Sequence, residues 1–546
     1  MSTRHASALG WRQFMVALGL FAAACRGAAP ETNREAASAV SPAPAAPSAP
    51  ASRELRLALH APKTLDWTVG IDTDGALLLG NLYEGLRVMT PDGKGTEPGA
   101  AGEPEVSADG RTWTFRLRDD ARWSDGTPVT AADFVEGWAA CLAEGAACGA
   151  SEDWTKLLAA PEGGYRAIDE RTLELRLTRP WPLLPFALTS TALLPVQRAA
   201  RAAHPADWRM PPNAVSNGPW RLVSYSAGVD AVLEPNPHHR GAKALGLDRV
   251  RVTFVQTQAN GDDLFRAGQL DLLLGRIPIE RIRELRAKAD PRLVVWPLAC
   301  TYFLALNTAE GPTADLALRK ALAAAVDREK VALQVLGMGQ VPAGGFVPPA
   351  LWSTPPAAAV DPGFSPSRAR EAYRASTYAT GAGEALPYLF NEDAGNRMIA
   401  EAVQRDVQET LGVRLELKSL EWSALLERLK QGQFSVARMS WCAVTPDPAE
   451  LVADFRSGAP GNPSRYANPD VDAILGRLVE APTLAAREAL VREVEAKLVA
   501  DVAAIPLYHA ARALLVRPCV RGLQANAFGV IRFDRVDLSA CSAQGE

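Results

Sequence analysis

Short runs in which apolar and polar residues alternate recur along the chain and exchange with longer stretches of helical period. Leu55-Arg-Leu-Ala-Leu59, Val250-Arg-Val-Thr-Phe254 and Val413-Arg-Leu-Glu-Leu417 read as half-buried strands. Residues 400–411 read as a helix, with Val403, Val407 and Leu411 on one face. Gly412 ends it in the left-handed C-cap manner and leads into the next strand. Between Trp113 and Trp138 a strand (Trp113, Phe115 and Leu117 alternating with Thr114 and Arg116), an Asp125-Gly126 turn and a helix follow in close succession. Thr130 caps that helix and Asp133 returns as its acidic capping partner. Such alternation predicts mixed α/β lobes.

At 546 residues the chain is too long for one core, so two or three domains are expected. Its 48% hydrophobic and 22% charged content is that of a globular protein, and a net charge of −4 gives no footprint for nucleic acid. Arg4, His5 and Arg12 precede the apolar run from Phe14 to Ala24, which is too short to span a bilayer. That run reads as an export signal (residues 1–25). Cys25 follows small residues as in a bacterial lipobox and is the expected site of lipidation. Residues 26–52, rich in Ala, Pro and Ser, read as an extended tether between membrane and folded body. Six cysteines then remain of seven, and an exported protein meets an oxidising compartment. Sequence leaves their pairing open. Cys141–Cys148 would close a short loop, and Cys519–Cys541 would pin the C-terminal tail.

Motifs for covalent chemistry are missing. The chain has no Gly-x-Ser-x-Gly elbow, no His-Glu-x-x-His helix, no phosphate-binding loop and no Cys-x-x-Cys pair. Of six histidines only His238 and His239 adjoin, in a Pro-Asn-Pro loop that reads as solvated. Neither an enzyme, a metal site nor a cofactor is expected.

The Trp113–Trp138 block resembles the signature of the peptide-type (family 5) solute-binding proteins of ABC importers, near their oligopeptide-binding branch. Further landmarks follow in that family's order: Leu65-Asp66, Asn81-Leu-Tyr-Glu-Gly-Leu86, Ser216-Asn-Gly-Pro-Trp-Arg-Leu222, Phe265-Arg-Ala-Gly-Gln-Leu-Asp271, Leu306-Asn307, Leu318-Arg-Lys-Ala-Leu322, Ser440-Trp-Cys-Ala443 and Ile505-Pro-Leu-Tyr508. The resemblance implies a two-lobed periplasmic-binding-protein-like α/β fold (type II, cluster C) with an extra domain inserted in the first lobe. Lobe I would take residues 53–77, 196–299 and 512–546, the extra domain 78–195 and lobe II 300–511. Crossings near Trp296–Thr301 and Pro506–Leu514 would form the hinge. It also implies a Cys300–Cys442 disulfide, an oligopeptide-like ligand closed between the lobes, delivery to an inner-membrane permease with its ATPase, and a monomer. A non-transport role on the same scaffold, as receptor or folding helper, is the alternative.

The ligand contacts implied by the resemblance gather on the segment 434–448. A strand there would deliver Arg438, Trp441 and Cys442 to an interlobe edge, where a peptide pairs through its main chain. Arg438 falls where relatives meet a ligand carboxylate. Trp441, Trp422 and Phe303 would line side-chain pockets, and Leu336 and Asn396 replace cationic residues that help some relatives hold longer peptides. One departure changes the expected ligand: relatives carry an Asp for the ligand's α-ammonium where this chain has Val444. Asp447-Pro-Ala-Glu450 reads as the capped start of a helix running through Phe455, and Asp72 or Asp74 as an acidic helper from the opening loop. Either the amino end of a peptide is held differently, or the solute is N-blocked or not a peptide.

Overall fold

Two long strands, Leu293–Leu306 and Ala504–Val516, run antiparallel through the middle of one sheet and set its organisation. The computed structural model describes residues 53–541 except 70, 143–157, 159–163, 276, 357–359, 381–382 and 482. The export signal with Cys25, the tether and Cys148 lie outside the described residues. From one edge to the other the sheet runs Leu415–Leu420, Leu386–Asn391, Val436–Cys442, Leu293–Leu306, Ala504–Val516, Leu272–Leu273, Glu54–Leu59, Arg249–Phe254, Asp230–Pro235, Trp220–Ser226. The parallel neighbours Leu386–Asn391 and Leu415–Leu420 are joined by the crossover helix Ala394–Leu411, while Gln258–Arg266 links Arg249–Phe254 to Leu272–Leu273, which flank Glu54–Leu59 and run parallel to it.

The two long strands pair twice, and each pairing serves a different half. Leu293 to Pro297 face Leu515 to Ala511, and Thr301 to Ala305 face His509 to Ala504, with the register broken between Pro297 and Thr301. Pro297 lacks the N–H a continuous ladder would need. Beyond the break, Thr301 Oγ1 donates to the Phe346 carbonyl at 2.7 Å and lies 2.9 Å from His509 Nδ1. Burial holds that imidazole down at about 4. The hydrophobic cores divide at the same place. One unites Leu55–Leu274 with Leu514–Leu538, while two others lie within residues 299–508 on opposite faces of the second half-sheet. The result is two α/β lobes meeting at a pair of shared strands. No helix among the described residues is long and apolar enough to cross a membrane.

The local signals match closely, with shifts that have local causes. The Ala394–Leu411 helix starts earlier than its apolar stripe because Asp393 caps it, accepting from Asn396 N at 3.0 Å. It ends at Gly412, φ 71°, and the following strand opens at Leu415. Ala131–Cys141 is capped as expected, Asp133 reaching back to Thr130 N at 2.9 Å. That helix packs on the four-stranded sheet Glu105–Val106, Thr112–Arg116, Thr172–Arg176, Tyr165–Ala167, and both share the core of the first lobe.

The recurring landmarks are braces. Asn217 Nδ2 donates to the Glu84 carbonyl at 2.8 Å while its Oδ1 accepts from Glu84 N at 3.0 Å. Asn81 Nδ2 donates to the Leu77 and Ile531 carbonyls and its Oδ1 accepts from Phe533 N. Asp271 takes three bonds from Arg56, through N, Nε and Nη2. Gly218 lies so close to the first helix, Thr73–Leu82, that a Cβ would sit 2.7 Å from the Leu82 carbonyl oxygen and 2.8 Å from its carbon. Main chain cannot swing aside, so Gly218→Ala is expected to cost about 1–3 kcal/mol. Urea denaturation checks this, and an unchanged midpoint would refute it.

Candidate functional site

Val436–Cys442 pairs antiparallel with the long strand over its whole length, from Leu306↔Val436 to Cys300↔Cys442. On its other side the parallel partner Leu386–Asn391 meets only Val436 and Ala437. From Arg438 to Cys442 the strand therefore has one β partner, and its outer row of backbone groups is an open edge. A disulfide joins Cys300 and Cys442 at the end of the pair, and a second joins Cys519 and Cys541. Cys141 is disulfide-bonded, while Cys148 lies outside the described residues.

Arg438 lies over two rings, 5.0 Å from the centroid of Tyr302 and 5.8 Å from that of Trp422. Its Nε is buried without a hydrogen-bond partner. No carboxylate among the described residues pairs with its guanidinium. Around it stand three phenols from three strands: Tyr302 stacks on Tyr508 at 4.9 Å, and the buried Tyr388 hydroxyl is unbonded. Burial raises the pKa of all three far above the tyrosine value, so they stay neutral. Tyr302 donates to Asn396 Oδ1 at 3.3 Å, which draws one of the expected positions into the cluster. Trp422 opens the Trp422–Lys430 helix and is 41% exposed, free to face a ligand. Trp441 is half-buried, edge-on to Phe303 and Phe455.

Several expected contacts fall elsewhere. Phe303 is fully buried among Phe346, Trp441 and Phe455 and is a core residue; its neighbour Tyr302 is the one facing Arg438. Period-2 alternation sends adjacent residues to opposite faces. Leu336 is also in the core, 2% exposed. Asp72 caps the first helix, with Oδ1 accepting from Gly75 N and Oδ2 from Lys63 N, so its carboxylate is committed to main chain. The expected helix through Phe455 is instead two short 3-10 turns, Pro448–Leu451 and Ala453–Phe455. Asp447 caps the first of these and also binds the buried Arg487. Glu450 does not complete a capping box there.

Val444 is 58% exposed just past the strand. Its N–H donates to Glu450 Oε2 at 2.6 Å, and Thr445 donates to the same carboxyl through both N and Oγ1. Burial lifts that carboxyl from 4.5 to about 7 despite these donors. A proton retained in the folded state stabilises it below the unfolded value, and that contribution is lost as pH rises through about 7. Glu450→Gln keeps an acceptor for Val444 N and removes the titration. Relative to the native chain it should gain stability between about pH 5 and about pH 8, read by denaturation at each pH. Parallel pH profiles would refute this.

Residues 95–463 match the model of the bacterial extracellular solute-binding proteins, family 5 Middle. Over 461 residues the chain is 30% identical to the periplasmic oligopeptide-binding protein OppA of Escherichia coli K12, covering 81% of this chain and 84% of that one. Over 493 residues it is 28% identical to the probable deoxycholate-binding periplasmic protein YgiS of the same strain, covering 84% and 88%. Among solved structures, that of the Escherichia coli murein tripeptide binding protein MppA matches with a TM-score of 0.74 at 27% identity, covering 89% of this chain and 98% of that one.

Proposed function

The chain belongs to the bacterial extracellular solute-binding proteins of family 5, and on that premise we propose that it captures an extended, oligopeptide-like ligand and delivers it unchanged to an inner-membrane ABC permease and its ATPase. The observation that carries this reading is the open edge from Arg438 to Cys442, bordered by an arginine without a carboxylate. Main-chain groups on such an edge bind a peptide of any sequence, and the arginine fork takes its carboxylate end. From Arg438 to Val444 the chain spans roughly 20 Å if extended, the reach of a short peptide.

Closure is the second element. Lobe I (53–77, 196–299 and 512–546) carries the inserted segment 78–195 and rotates against lobe II (300–511) about the register break at Pro297–Thr301. A ligand touching both lobes stabilises the closed state by its difference in affinity for the two. Cys25, lipidated, would hold the body at a membrane through the 26–52 tether, and the protein would act as a monomer. No covalent step and no cofactor are involved. Titration calorimetry with free-carboxylate tetrapeptides, paired with solution X-ray scattering, tests the reading. Binding with a fall in the radius of gyration is expected; peptides that bind without contraction, or fail to bind, would overturn it.

A further inference from the structure

Beyond the open edge, the wall facing Val444 encloses a cavity of about 240 Å3 between the Thr73–Leu82 helix, the 186–194 segment and the 528–532 loop. Leu77, Phe186, Leu194, Phe528 and Val530 supply its apolar part, with Val444 opposite and the hydroxyl residues Thr73, Thr189, Ser190 and Thr191 beside them. Its charged groups are three arginines, Arg87, Arg512 and Arg532, and a single acid among the described residues, Glu84. Glu84 is 4% exposed and held by both arms of Arg240 at 2.6 Å. Arg87 meets Glu103 at 2.9 Å and Arg532 meets Asp534 at 2.9 Å, so these pairs leave no unmatched negative charge. Glu450 and Asp447 do not line the cavity; their carboxyls serve the Val444–Thr445 backbone and Arg487.

Accepting the cleft as a peptide site, with the carboxylate end at Arg438, the opposite end of the ligand falls at Val444. A free ammonium there would surrender its water to an apolar wall without gaining a carboxylate, a costly exchange. We propose that this end of the ligand is an N-acylated amide rather than a free amine, and that the cavity receives the acyl chain. The amide carries no charge to desolvate, and each methylene buried in such a cavity strengthens binding about fourfold.

Three ligands on the full-length protein decide the matter by titration calorimetry: tetra-alanine, N-acetyl-tetra-alanine and N-butanoyl-tetra-alanine. The acetyl form should bind at least tenfold more tightly than the free amine, and the butanoyl form, with two more methylenes, about fifteenfold more tightly again. Val444→Asp, at a site open enough to accept the change, should reverse the order of the acetyl and free-amine forms. Equal or tighter binding of the free amine to the native protein, or a butanoyl form weaker than the acetyl one, overturns the inference and leaves the peptide-binding reading standing. Failure of all three to bind removes both.

Discussion

Arg438→Ala should weaken a peptide with a free carboxylate by roughly ten- to hundredfold, the range of a hydrogen bond to a charged group. The guanidinium is placed for this loss. It is half-buried, it stands over Tyr302 and Trp422, and its Nε has no partner. The phenols around it remain neutral and supply no counter-charge. A ligand carboxylate would satisfy the charge, and the guanidinium can meet it through two parallel bonds. Arg438→Lys keeps the charge and loses the fork, so it should recover only part of the affinity. C-terminally amidated peptides provide the internal control: they should bind the native protein weakly and be nearly indifferent to Arg438→Ala. If free-acid and amidated peptides lose affinity equally in the variant, Arg438 acts through packing on Tyr302 and the carboxylate lies elsewhere.

The sequence carried the fold further than the site, for physical reasons visible in single residues. Strand period, the Asp133 cap and Gly412 are short-range signals, and the elements they mark form within a few residues of where they fall. The landmarks were legible as markers of family, but their work is bracing: Asn217 grips both backbone groups of Glu84, a contact across 133 residues. Arg438 and the strand under it were readable. The freedom of its outer edge was not, because it depends on where Leu386–Asn391 parts from it after Ala437. Tyr302, Tyr388 and Tyr508 come from three distant strands, although Tyr508 lies inside a quoted motif. Phe303 is one residue from the side chain that meets Arg438, and in a strand one residue is the difference between the two faces of the sheet, both of them buried here. The Asp447–Glu450 spacing suits a capped helix start with Glu450 in its first turn. The Glu450 carboxyl turns instead to the Val444–Thr445 backbone.

Asp447→Ala is expected to be among the most destabilising single changes in the molecule, about 3–5 kcal/mol, without touching any ligand. Asp447 is 4% exposed and Arg487 8%. Oδ2 accepts from Arg487 Nε at 2.9 Å and Nη2 at 2.5 Å, and Nη1 donates to the Leu478 carbonyl at 2.7 Å. Removing the carboxylate strands a guanidinium in the core with one backbone partner. It also frees the cap of the Pro448–Leu451 turn, whose first N–H group, that of Ala449, bonds to Asp447 Oδ1. The loss belongs to the isolated charge more than to the pair, since a buried ion pair gains little over well-packed apolar groups of similar size. Asp447→Leu combined with Arg487→Met should therefore recover most of the stability lost in Asp447→Ala, as read by urea denaturation. A mild effect of the single change, under about 1 kcal/mol, would mean that water reaches Arg487. Recovery in the double variant with peptide affinity intact would assign Asp447 to the framework behind Val444 and leave the open edge as the surface that holds the ligand.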